Sequence, residues 1–260
     1  MTTTLTTVLT GRFAWHELLT TDPAAAKAFY PAVVGWGSQA WGQDNTYSLW
    51  TAGEQPVGGL MELPDEVKKM GVPPHWLTYI SANDTDAVAK RAVELGATLI
   101  KQPDSIPNVG RFAVLKDPQG AVFCLYTSDH GTPPDAQPNQ GEFSWHELTT
   151  TDYEAAFKFY STLFGWIVVD TMDMGPAGKY LMYGVQEGVP LGGIYNRSPE
   201  QPPPNWLAYA LVADADASAA KATELGGKVI VGPMEVPGGD RIAVALDPQG
   251  AAFAVHSKKK

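Results

Sequence analysis

Apolar and polar positions alternate along this chain in two rhythms, and the whole pattern runs through twice. Residues 13–21 (FAWHELLTT) read as a strand with both faces partly buried. A helix is predicted over 22–36: Asp22 suits the N-cap, Pro23 the first helical position, and Gly35 the end. Pro31 is expected to kink or shorten this helix, whereas Ser161 at the matching place is easier. Extended runs follow at 47–51 and 57–63. A second round then brings a strand at 76–82, a helix at 84–96 closed by Gly96, and strands at 97–101, 111–116 and 121–127. The DPQG between the last two has the residues of a type I turn joining a hairpin. This is βαβββ twice over, and strand-helix alternation with hairpins argues for the α+β class.

The second half repeats the first. GRFAWHELLTTD (11–22) aligns with GEFSWHELTTTD (141–152) at an offset of 130, with nine of twelve positions identical. The same offset pairs the GW of 35–36 with that of 165–166, Trp76 with Trp206, and DPQGAVF (117–123) with DPQGAAF (247–253). Repeats of this length are domains rather than solenoid units. The predicted organisation is a first domain at 11–127, a linker rich in Pro, Gly and polar residues at 128–140, and a second domain at 141–257. The threonine-rich start reads as a mobile lead-in.

Composition narrows the function. A net charge of −10 opposes nucleic-acid binding, and Lys258, Lys259 and Lys260 are too short a run to change that. No apolar stretch approaches the ~20 residues that cross a bilayer. The single cysteine, Cys124, excludes an internal disulfide and fits a cytoplasmic setting. No Ser-His-Asp spacing, phosphate loop or CxxC is apparent. The expected partner is a small molecule, with neither nucleic acid nor membrane involved.

The strand-TTD-helix-FY…GW opening and DPQG-strand close of each half, with W-x-E-L and W-x-x-Y, resemble the vicinal oxygen chelate superfamily. That superfamily includes glyoxalases, extradiol dioxygenases and bleomycin-resistance proteins. The resemblance covers 11–127 and 141–257. It implies two tandem domains, each of two paired βαβββ modules whose curved mixed sheets form a cleft. It also implies an internal pseudo-dimer, with the whole chain a monomer or homodimer. Metal-using members offer ligands from four strand positions, which fall here on Trp15, Gly59, Leu77 and Cys124, and on Trp145, Gly193, Leu207 and Ala254. Only Cys124 among them could bind a metal, so no metal and no other cofactor is expected. A shift of one residue would instead raise His16, His75 and Glu62 as a ligand set. Strand alternation places His16 on the opposite face, in a structural role.

Alternation brings Trp15, Glu17 and Leu19 to one strand face, and Leu77, Tyr79 and Ser81 to one side of the facing strand. The second domain offers Trp145, Glu147 and Thr149, with Leu207, Tyr209 and Leu211. The ligand-binding candidates are therefore Trp15, Glu17, Leu77, Tyr79, Ser81, Cys124, Trp145, Glu147 and Tyr209. An indole, a carboxylate and a phenol among apolar walls suit an aromatic or planar ligand. Two function classes stay open. One is a metal-independent binding protein for a hydrophobic or aromatic molecule. The other is a glyoxalase-like lyase or isomerase, with Glu17 and Tyr79 as an acid-base pair or with a divalent metal. Ser81 and Cys124, against Leu211 and Ala254, suggest that the first cleft is the more polar.

Overall fold

In the computed structural model, which describes residues 9–42, 46–131 and 136–260, each half of the chain carries eight strands. Residues 1–8 of the lead-in and 132–135 of the linker lie outside the described residues. The first half runs β1 (Phe13–Thr20), α1 (Pro23–Val34), β2 (Gly37–Trp41), β3 (Tyr47–Ala52), β4 (Gln55–Glu62), α2 (Asp65–Lys69), β5 (His75–Ser81), α3 (Thr85–Glu94), β6 (Thr98–Ile106), β7 (Gly110–Lys116) and β8 (Val122–Ser128). The second runs β9 (Phe143–Thr150), α4 (Tyr153–Phe164), β10 (Ile167–Asp173), β11 (Lys179–Gln186), β12 (Val189–Asn196), β13 (Asn205–Leu211), α5 (Ala215–Glu224), β14 (Lys228–Glu235), β15 (Arg241–Leu246) and β16 (Ala252–Ser257). The strands form two eight-stranded mixed sheets, ordered β2-β3-β4-β1-β5-β8-β7-β6 and β10-β11-β12-β9-β13-β16-β15-β14. The class is α+β, with tandem βαβββ modules. No helix among the described residues is long and apolar enough to cross a membrane.

Local chemistry sets the helix ends as expected. The Asp22 side chain accepts from the Ala25 amide at 2.9 Å, and Gly35 closes α1 in the left-handed region at φ 90°. Asp152 and Gly165 do the same for α4. Pro31 does not shorten its helix. Both α1 and α4 have 12 residues, because Pro31 falls in the last turn, where one missing amide donor costs little continuation. Strand β2 was not legible: all five of its residues are exposed, so it carries no alternation. Strand β6 runs on from 101 to Ile106 through two register shifts.

The chain separates into two compact units that do not follow the repeats. Among the described residues, one combines those of 15–77, 137–145 and 207–260; the other combines those of 9–14, 78–136 and 146–206. Each unit thus takes the first module of one repeat and the second module of the other. In the unit containing α1, that helix places Phe29, Tyr30 and Val33 against the small faces Ala215, Ala219 and Ala222 of α5. Ser218 of α5 donates to the Val33 carbonyl at 2.7 Å, satisfying a group that the helix end leaves open. Tyr30, fully buried, donates to Asp247 at 3.0 Å and accepts from the Trp76 indole at 3.0 Å. In the unit containing α4, Tyr160 donates to Asp117 at 2.9 Å and accepts from Trp206 at 3.0 Å. The Asp of each DPQG turn therefore anchors the helix tyrosine of the opposite repeat. Burial, then the neighbouring aspartate, pushes both tyrosine hydroxyls well above their ordinary range, so they stay protonated donors.

Candidate functional site

The doubled WHEL places its two polar side chains on opposite faces of a strand. Leu18 joins the apolar core of its unit, and His16 shares that side, buried and stacked on Phe143 at 3.7 Å. His146 in the other unit stacks on Phe13 at 3.6 Å and donates from Nδ1 toward the Leu191 carbonyl at 3.4 Å. Burial takes its pKa down to about 3, against a weaker raising effect from the Leu191 bond. These histidines pack the fold.

The depressed His146 pKa has a consequence for stability. The unfolded chain takes up this proton near pH 6.5 and the folded chain does not. The stabilisation is therefore complete above about pH 6.5 and is lost progressively as pH falls toward 3, by on the order of 2 kcal/mol at pH 5. Asp117 and Asp247, whose carboxyls burial raises, act in the opposite sense. A His146→Phe variant keeps the stacked ring and isolates the histidine. Urea unfolding at pH 7.5 and pH 5 is expected to show a clearly smaller loss in the variant than in the wild type. Equal losses would remove His146 as the cause.

On the other face of β1, Trp15 and Glu17 meet a residue that the sequence reading missed. The Tyr47 hydroxyl on β3 donates to Glu17 Oε1 at 2.8 Å and accepts from Trp15 Nε1 at 3.1 Å. Glu17 is only 9% exposed. Strand β4 lies between β3 and β1, and in it Gly59 stands opposite both Leu49 and Glu17. The Tyr47 side chain crosses diagonally over Gly59; a Cβ there would overlap its hydroxyl. The device is repeated in the other unit. Tyr180 on β11 crosses Gly193 and donates to Glu147 Oε2 at 2.9 Å. The sequence did hold a signal for this, the doubled GG at 58–59 and 192–193, each following a strand that starts with tyrosine near its N-terminal end.

The remaining candidates fall in other groups. Tyr79 on β5 pairs in register with buried Cys124 on β8, with Phe112 6.4 Å from the Tyr79 ring. Leu77 is buried on β5. Trp145 and Leu207 pack against Tyr209, Val244 and Ala254. Ser81 is committed to the chain itself: its hydroxyl accepts from the Arg12 amide and donates to the Leu9 carbonyl. Its polarity serves the entry strand, so the contrast with Leu211 no longer ranks the two faces. The shifted ligand set does not gather. His16 is stacked as described, His75 bonds the Pro73 carbonyl at 2.8 Å, and Glu62 pairs with Lys68 at 2.6 Å. Among the described residues no three His, Cys, Asp or Glu side chains come together in a way that could hold a metal.

Two further clusters are structural. Arg111 and Arg241 each grip an aspartate at a helix start, Asp86 and Asp216, at 2.8 and 2.7 Å. A Ser-His-Asp arrangement absent from the linear spacing also forms: Ser144 lies 2.8 Å from His256 Nδ1, and His256 Nε2 lies 2.9 Å from Asp240. Ser144 also reaches the Tyr209 carbonyl at 3.3 Å and Asp240 accepts from the Lys259 amide at 2.9 Å. The cluster thereby ties the last strand and the chain end to β9 and β13.

Comparison with known proteins shows the family and the fold. Residues 142–255 match the profile described as Glyoxalase/Bleomycin resistance protein/Dioxygenase superfamily, and residues 16–126 match that of a Glyoxalase-like domain. The protein of Mycobacterium tuberculosis (strain CDC 1551 / Oshkosh) named "Putative glyoxylase CFP32" is 33% identical over 244 residues, 93% of this chain and 92% of that protein. The anthracycline biosynthesis protein DnrV of Streptomyces peucetius is 29% identical over 263 residues, 94% of this chain and 92% of its own. Among solved structures, the Mn(II)-bound glyoxalase from Novosphingobium aromaticivorans superposes with a TM-score of 0.66 at 17% identity, covering 98% of this chain and 84% of that one. At that identity the likeness is one of fold.

Proposed function

Since the chain belongs to the glyoxalase/bleomycin resistance protein/dioxygenase superfamily, we propose that it binds a small planar or aromatic molecule on the sheet face of Trp15, Glu17 and Tyr47, without a resident divalent metal. The observation that carries this reading is the indole-phenol-carboxylate chain built over Gly59. Trp15 supplies an aromatic wall. The Trp15 indole donates to Tyr47, so the Tyr47 proton points to Glu17, and the carboxylate is held as an acceptor for a ligand hydroxyl or N–H.

The residues at the superfamily's metal positions do not fit a divalent ion. Trp15, Gly59 and Leu77 offer no lone pair of the required kind, nor do Trp145, Gly193, Leu207 and Ala254, and the buried Cys124 is one ligand where a divalent ion needs several. The space over each glycine is taken by a tyrosine ring. A second reading, a glyoxalase-like lyase or isomerase, is favoured by the same Tyr47–Glu17 hydrogen bond. In it Glu17 would take a proton from a carbon or oxygen acid, and Tyr47 rather than Tyr79 would hold the carboxylate in place. The name of the mycobacterial relative is in keeping with that reading. The setting proposed is the cytoplasm, in keeping with a single buried cysteine.

The test joins elemental analysis to a ligand screen by calorimetry. Protein exhaustively dialysed against EDTA is expected to keep full affinity for any planar aromatic ligand found. About one Mn, Ni, Zn or Fe per chain, lost together with binding, would overturn the metal-independent reading.

A further inference from the structure

The two carboxylates sit in different company. In register with Tyr47 across the sheet, the first repeat has Met61 and then Leu19. In register with Tyr180, the second has Tyr195 and then Thr149. Beside Glu17 the row is thus one phenol and two aliphatic side chains; beside Glu147 it is two phenols and a hydroxyl. The Tyr180 and Tyr195 rings stack at 5.8 Å between centroids and 23° between planes. The two near-parallel rings lie beside the Glu147 carboxylate, which is 2.9 Å from the Tyr180 hydroxyl. Gln201 donates to the Tyr195 hydroxyl at 3.3 Å and fixes the second ring from outside. Burial first, then the charge of Glu147, raises the Tyr195 hydroxyl. Glu147, Thr149, Tyr180, Tyr195 and Gln201 all belong to one unit.

A ring face carries negative potential, and a carboxylate beside it carries a full negative charge. Neutral aromatic ligands gain from the first and are indifferent to the second. A soft organic cation gains from both, since a quaternary ammonium is weakly hydrated and loses little on leaving water. The chain's net charge of −10 draws cations toward it from a distance.

We propose that the Tyr180, Tyr195 and Glu147 surface of the second repeat is a site for a small organic cation of the alkylated-ammonium type. This rests on reading the Glu-Tyr faces as ligand sites, and it gives the two faces different chemistry: a planar hydrogen-bond donor on Glu17, a cation on Glu147.

The experiment uses the full chain and a matched pair of probes, choline and 3,3-dimethylbutan-1-ol, which share a shape and differ in charge. Binding is followed by ligand-observed NMR titration at low salt. Choline is expected to bind roughly tenfold or more tightly than the neutral alcohol. Tyr195→Met, which installs the first-repeat residue, and Glu147→Gln should each abolish that preference. Tyr195→Phe, which keeps the ring and removes only the hydroxyl, should retain it. Equal binding of the two probes, no binding of choline, or a choline preference that survives Tyr195→Met would each overturn the proposal. An aromatic ligand that titrates with Glu17 while choline fails to bind would overturn the cation site alone. Failure of both would reach the underlying reading of the two faces.

Discussion

Asp117→Ala is expected to destabilise the protein by on the order of 3–5 kcal/mol, the largest single-site loss foreseen here. Asp117 is 3% exposed. One of its oxygens accepts from the amides of Gln119, Gly120 and Ala121 at 2.7–2.9 Å, and the other accepts from the Tyr160 hydroxyl at 2.9 Å. Removing the carboxylate leaves the half-buried Gln119 and Gly120 amides able to reach for water, but strands the amide of the buried Ala121. Tyr160 has no such recourse: it is fully buried, and Trp206 already donates to it. The variant therefore loses the turn and strands a buried hydroxyl, and it undoes the contact by which one repeat's turn holds the other repeat's helix. Asp117→Asn, which keeps one acceptor oxygen, should cost clearly less. Denaturant unfolding of the three proteins measures this; a loss below about 1 kcal/mol for Asp117→Ala would show that the turn anchor is dispensable. Asp247→Ala should behave alike, because Asp247 repeats the arrangement with Tyr30.

Glu17→Gln should weaken a planar, donor-bearing ligand by roughly ten- to hundredfold, since a charge-assisted hydrogen bond in a buried site contributes about 1.5–3 kcal/mol. The substitution keeps the shape and removes the charge. Tyr47→Phe should weaken binding by less, because it frees the carboxylate to turn but leaves it in place. Glu147→Gln should leave this ligand's affinity within about threefold, because Glu147 belongs to the other unit and has no shared partner with Glu17 among the hydrogen bonds described. Calorimetric titration of the three variants with one ligand decides among these outcomes. Unchanged affinity in Glu17→Gln, with the fold intact by circular dichroism, would remove Glu17 from the site. A larger loss in Glu147→Gln would move the ligand to the second repeat.

The duplication, the βαβββ order, both helix caps and the DPQG turns could be read from the chain itself. Each depends on residues within a few positions of one another, where backbone preference and side-chain capping act. Strand alternation likewise separated His16 from Glu17 and assigned the histidine to packing, and Phe143 stacked on His16 bears that separation out. Strand β2 was hidden because an edge strand exposed at every position has no apolar rhythm to detect. Partner choice was hidden for a different reason. That Tyr47 reaches Glu17 depends on the register of three strands and on a glycine that lets one side chain cross another strand. That Tyr30 finds Asp247 and Tyr160 finds Asp117, each across the repeat boundary, depends on which helix docks on which sheet. The two repeats carry the same motifs, so sequence alone presents each tyrosine with two equivalent aspartates. The sequence by itself determined the elements and the inventory of chemical groups; only the tertiary structure decided which groups meet, because register and docking are set by packing across more than 200 residues in the longest case, Tyr30 to Asp247.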